Sequence, residues 1–176
     1  MMPLQIDFQQ RDLCPADIAC DAAMPLIQTM MASTWQKTVA QGLAVNFPQA
    51  QRFSVCIRFV DPAESRALNE SYRGRDYPTN VLSFTTNMLD EARCLDLGDL
   101  VICGMCLVDE AADQGKTISD HFLHLVLHGM LHLIGYDHEF EADAETMESL
   151  EVAVLKEVGV QDPYEVIVDE LKRLEN

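Results

Sequence analysis

Hydrophobic and polar positions switch along this chain between a period of two residues and one of three or four. LQIDF, near the start, reads as a short strand. Pro25 suits a first helical turn, because it has no N–H to leave unpaired, and LIQTMMASTWQKTVAQ follows it with apolar residues at helical spacing. The pattern predicts a helix from Met24 to Gln41, stopped by Gly42. FSVCIRFV alternates like a half-buried strand rich in β-branched and aromatic residues. Asp61-Pro62 then caps a helix through ESRALNESYR that ends at Gly74.

VLSFT and, after Gly98, DLVIC supply two more strands. Beyond Gly104 the pattern is helical, with a break at Gln114-Gly115-Lys116. Ser119 or Asp120 is expected to cap HFLHLVLHGMLHLI, a helix that ends at Gly135. ADAETMESLEVAVLKEV forms an amphipathic helix closed by Gly159, and PYEVIVDELKRL forms a last one. No repeat and no Gly/Ser/Pro-rich linker divides the chain, so residues 1–176 are expected to fold as one domain. Strands early and helices late imply an α+β fold, a small mixed sheet packed with helices.

A chain of 176 residues buries about 70% of its unfolded surface without a staple, so a metal, if present, is there for chemistry. The six cysteines are too sparse for a disulfide scaffold and read as reduced thiols, with the Cys103-x-x-Cys106 pair as buried small hydrophobes. No run reaches the roughly 18–20 apolar residues that span a bilayer, and MMPLQIDFQQRD lacks a basic stretch followed by an apolar core. The expectation is a cytoplasmic protein with no membrane association.

The formal charge of −17 argues against a nucleic-acid partner, since phosphates are normally met by Lys and Arg. Its distribution softens the objection. Residues 1–80 carry a balanced set of charges, whereas the acidic residues gather beyond them. Arg52, Arg58, Arg66, Arg73 and Arg75 fall close together in the first half and can form a local positive surface.

All five histidines lie in HFLHLVLHGMLHLIGYDH. Residues four apart share one helical face at about 5–6 Å, so His128 and His132 can converge on one ion. His124 lies on the same face, but it is about 12 Å of helix from His132 and cannot share that ion. Gly135 can turn the chain back and deliver His138. His128, His132 and His138 thus form a three-imidazole site, which suits zinc and leaves a fourth position open for chemistry. His121 and His124 read as packing or supporting histidines, and Asp137 as a loop cap or support for His138. Metalloproteases with this spacing carry a Glu after the first histidine as general base, where this chain has Gly129. That absence disfavours a peptidase. Gly129 also implies a close approach of backbone or substrate at that turn.

With HGMLHLIGYDH, LNESYRGRDYPTNVLSF and LGDLVIC quoted together, the chain resembles the YbeY family of bacterial endoribonucleases over about Phe53 to Leu155. The resemblance implies an α+β fold, one zinc per chain on His128, His132 and His138, and cleavage of single-stranded RNA. It further implies a role in ribosomal RNA maturation, at the 3′ end of 16S rRNA, and in ribosome quality control, with RNA and the ribosome or its proteins as partners. The family's functional arginine falls on Arg73, whose planar guanidinium can hold two phosphate oxygens and offset charge developing at phosphorus. His128 joins it as a catalytic candidate. Arg75, Tyr77, Asn80 and His124 are candidate substrate contacts, Tyr77 by stacking on a base and Asn80 by hydrogen bonding. Many members carry Asp at the position of Asn80. Two other readings stay open: a ribosome-associated zinc-binding protein without its own cleavage activity, and a small zinc peptidase that draws a carboxylate such as Glu145 or Glu148 from the next helix.

Overall fold

A computed structural model describes residues 3–40, 50–136 and 141–165. Its architecture is α+β, a mixed four-stranded sheet with five helices among the described residues. The elements run β1 (Leu4–Gln9), a 3-10 turn (Arg11–Leu13), α1 (Cys20–Ala40), β2 (Arg52–Val60), α2 (Pro62–Arg73), β3 (Val81–Leu89), β4 (Cys94–Cys103), α3 (Gly104–Asp113), α4 (Ile118–Leu133) and α5 (Glu141–Glu157). Strand order is β1-β2-β4-β3, with β1, β2 and β4 parallel and β3 antiparallel to β4. None of the described helices is long and apolar enough to cross a membrane.

The two faces of the sheet follow from alternation along its strands. On β2, Phe53, Val55, Ile57 and Phe59 enter the main core with α4, while Val60 faces the smaller cluster under α2. On β4 the parity changes: Leu95 and Leu97 point into the core before Gly98, Leu100 and Ile102 after it. Ser54 pairs with Asp96 but Cys56 with Asp99, so β4 holds one extra residue there, a β-bulge. Gly98 sits at that bulge with φ 121°, and a Cβ on it would lie 2.0 Å from the carbonyl oxygen of Phe84. The strand therefore runs from Cys94 through Gly98, not from Gly98 onward.

Helix ends agree with the sequence at some positions and depart at others. Asp61 accepts the Glu64 backbone N–H at 2.8 Å and Gly74 closes α2, as expected from that cap and stop. α1 begins at Cys20, so Pro25 lies inside it and costs it one backbone bond. The cap of α4 is Thr117, whose hydroxyl accepts from the Asp120 N–H at 3.0 Å, in place of Ser119 or Asp120. The stop of α1 at Gly42 and most of the expected last helix lie outside the described residues. All six cysteines are free, and Cys103 is a buried cap whose sulfur accepts from the Cys106 N–H.

α4 is the central helix. Phe122, Leu125, Val126, Met130 and Leu133 are buried in the main core, which leaves one face for the histidines. That face is covered by α3 on one side and α5 on the other.

Candidate metal centre and active site

Four histidines of α4 form a ladder. Ring centroids are 6.1 Å apart from His121 to His124, 6.3 Å from His124 to His128, and 4.7 Å from His128 to His132. Each ring is held by an acceptor from another part of the chain. His121 Nε2 lies 2.9 Å from Glu110 Oε2 on α3, and His132 Nδ1 lies 3.0 Å from the carbonyl oxygen of Tyr136. Glu151 on α5 takes two rings, His128 through Nδ1 at 2.8 Å and His124 through Nε2 at 3.3 Å, and accepts the Tyr164 hydroxyl as well.

At the end of α4, Gly135 adopts φ 100°, and the Tyr136 N–H bonds the Leu131 carbonyl at 3.0 Å. The turn that brings the Tyr136 carbonyl back onto His132 is therefore the one that the sequence assigned to Gly135. Carbonyl and carboxylate oxygens only accept, so His132 and His128 donate through Nδ1. Both then present Nε2 to each other, 3.2 Å apart. Two ligands with bonds of about 2.0–2.1 Å on one tetrahedral ion stand roughly 3.3 Å apart, so the pair fits two corners of a zinc site. Both rings also carry the Nδ1 anchor that metal-binding histidines use. His138 and Asp137 lie outside the described residues, and among the described residues no three His, Cys, Asp or Glu side chains form a metal-holding group.

The electrostatics are set by the two carboxylates. Glu151 is fully buried, which by itself would raise its pKa; hydrogen bonds from His124, His128 and Tyr164 outweigh that and bring it to about 2. Glu110 is likewise held below the ordinary range, with burial opposed by bonds from His121 and Asn80. Burial together with the Glu151 charge pushes the Tyr164 phenol up, so its hydroxyl stays a donor.

A cavity of about 580 Å³ opens beside His128, in the range of small-ligand sites. Asn80, Glu110, Lys116, His124, Glu151 and Tyr164 are among the residues that line it. Asn80 and His124 thus meet His128 in one place, as candidates for the same site. Arg73, Arg75 and Tyr77 do not line the cavity: they are exposed at the end of α2 and in the loop after it. Of the five clustered arginines, Arg58 is paired with Glu64 and Arg66 with Asp76, whereas among the described residues neither Arg73 nor Arg75 has an ion-pair partner.

Glu110, Glu151 and Tyr164 escaped the sequence reading. For Glu151 a signal existed. Met147, Leu150, Val154 and Leu155 are the buried stripe of α5, and a charged residue in the middle of that stripe needs partners. Glu145 and Glu148, the carboxylates singled out from sequence, are exposed on α5; Glu148 lines the cavity beside His128 and Glu145 does not. Gly129 faces the sheet: a Cβ there would meet Leu100 Cδ2 at 2.7 Å and Ser83 Oγ at 3.2 Å. Its close approach is to the core.

The profile of the endoribonuclease YbeY family matches residues 20–159. Endoribonuclease YbeY of Stenotrophomonas maltophilia is 42% identical over 152 residues, covering 84% of this chain and 92% of its own. Its namesake from Alkalilimnicola ehrlichii is 54% identical over 114 residues, 63% of this chain and 68% of its own. A Thermotoga maritima protein solved in solution shares the fold, with a TM-score of 0.53 at 20% identity over 94% of this chain and 98% of that one. By profile and by relatives alike, this chain belongs to the endoribonuclease YbeY family.

Proposed function

We propose that this protein is a zinc-dependent endoribonuclease that cleaves single-stranded RNA in the cytoplasm, in ribosomal RNA maturation at the 3′ end of 16S rRNA and in ribosome quality control. The observation that carries the reading is the 3.2 Å approach of His128 and His132 through Nε2, each ring anchored from behind through Nδ1. His138 would complete the ligand set. When bound there, zinc supplies Lewis-acid activation of water and of a phosphoryl oxygen.

The other parts of the reaction fall to the chain itself. Arg73 would grip two non-bridging phosphate oxygens and offset the charge that accumulates at phosphorus. Arg75 and Tyr77, exposed in the loop that follows, would meet the RNA backbone and stack on a base. Asn80 and His124 would face the nucleotide in the cavity. A docking contact between the acidic second half of the chain and a basic ribosomal protein reconciles the charge of −17 with an RNA substrate.

The test is cleavage of a labelled single-stranded RNA by the purified protein, with a chelated control and the variants His128→Ala, His132→Ala and Arg73→Ala. Cleavage lost with the metal in both histidine variants, and lost without metal loss in Arg73→Ala, is the expected result. Wild-type rates in protein shown to be metal-free would sink the proposal. RNA that is bound and left intact would favour the ribosome-associated binding protein, and casein turnover the peptidase.

A further inference from the structure

We infer that Glu151 is a positioning residue that decides which histidines of α4 can bind metal, making His128 a ligand and keeping His124 from being one. The inference rests on the metal-site reading of the histidine pair.

Glu151 is fully buried between α5 and α4. An isolated buried carboxylate costs several kcal/mol, so a Glu at this depth persists only with its oxygens satisfied. Three donors reach it: His128 Nδ1 on one oxygen, His124 Nε2 and the Tyr164 hydroxyl on the other. The carboxylate has no proton to give, so each of these atoms must carry one.

A neutral imidazole has a single N–H, and the consequence differs between the two rings. His128 spends its proton on Nδ1, which leaves the Nε2 lone pair directed at His132 Nε2. His124 spends its proton on Nε2, and its lone pair is at Nδ1, a buried atom with no hydrogen-bond partner. Two histidines one turn apart on one helix are thus held in opposite tautomers by one carboxylate. Helix length had excluded His124 as the partner of His132; the Glu151 contact excludes it by proton placement as well.

The test uses the metal-free full chain and no RNA. Histidine-ring ¹⁵N spectra, recorded where the rings are neutral, are expected to show His128 protonated at Nδ1 and His124 at Nε2. In Glu151→Gln, whose amide donates as well as accepts, His128 is expected to become a mixture of tautomers, and zinc affinity, measured by competition with a chromophoric chelator, to fall about 10- to 100-fold. Tyr164→Phe keeps the carboxylate and is expected to preserve the tautomers. An Nε2-protonated His128 in the wild type would overturn the assignment, and so would wild-type zinc affinity in a folded Glu151→Gln. Should that variant fail to fold, the wild-type spectrum alone decides. A wild type that cleaves no RNA would overturn the proposed function and leave this assignment standing on its own two readouts.

Discussion

Asn80 joins the start of β3 to α3, its Nδ2 donating to Glu110 Oε2 at 2.8 Å, the oxygen that His121 also reaches. The same side chain accepts the Val81 N–H through Oδ1, so both ends of the amide are in use. Asn80→Asp would keep the acceptor and lose the donor, setting two half-buried carboxylates against each other. We expect it to lose about 1–2 kcal/mol at pH 7, read by urea unfolding. The repulsion exists only while both groups are ionised, so it raises the folded-state pKa of the pair. The variant should therefore approach wild-type stability on acidification, and lose it again as pH rises through that raised pKa. Equal stability at pH 7 would show that the Asn80 amide is dispensable.

Acid should act on the wild type in the opposite sense. Glu151 and Glu110 both have folded pKa values below the ordinary carboxylate range, Glu151 at about 2. A depressed carboxylate contributes stability that is complete above its unfolded pKa of about 4.3 and lost as pH falls through the folded value. Metal-free protein should accordingly lose stability steadily between about pH 5 and pH 2. The slope of unfolding free energy against pH should be shallower in Glu151→Gln. An identical slope in the two proteins would mean that Glu151 binds its proton equally in both states.

How far the sequence could be read depended on whether a residue's role was local. The Asp61 cap, the Gly135 turn and the four-residue spacing of His128 and His132 are properties of one helix and its ends, and all three stand where periodicity puts them. Gly98 misled because a bulge changes the parity of the strand around it. Pro25 misled because a helix can tolerate one missing backbone bond when its flanks pack. The carboxylate partners of the histidines could not be read from their own helix. Glu110 and Glu151 come from α3 and α5, and only the packing of those helices decides which carboxylate meets which ring.

Arg73 offers a cleaner separation of chemistry from stability. It is exposed at the end of α2, so Arg73→Ala should leave the unfolding free energy within about 0.5 kcal/mol of wild type. If it grips the phosphate as the charge builds, kcat on a single-stranded RNA should fall by about 10²- to 10³-fold. Arg73→Lys retains the charge but not the two-pronged grip and should recover only part of that loss. An unchanged kcat with a raised KM would instead place Arg73 among ordinary backbone contacts.

Gly129 separates this chain from the metalloproteases that share its histidine spacing, and its surroundings make the difference testable. A methyl group at this position would stand 2.7 Å from Leu100 Cδ2 and 3.2 Å from Ser83 Oγ, against a wholly buried Leu100 and beside the bond from Ser83 Oγ to the Gly129 carbonyl. Alanine gains about 1 kcal/mol in helix propensity, while overpacking costs about 1–3 kcal/mol. Because the contact is with the core, packing should win, and Gly129→Ala should lose about 1 kcal/mol. Gly129→Glu adds a longer chain and a charge with no partner at that depth, for a loss above roughly 4 kcal/mol. It should gain no peptidase activity, since its carboxylate would be driven into the sheet and away from His128. A stable Gly129→Glu that hydrolyses casein would show that the helix can rotate this position toward His128 and His132, and would return the peptidase reading to contention.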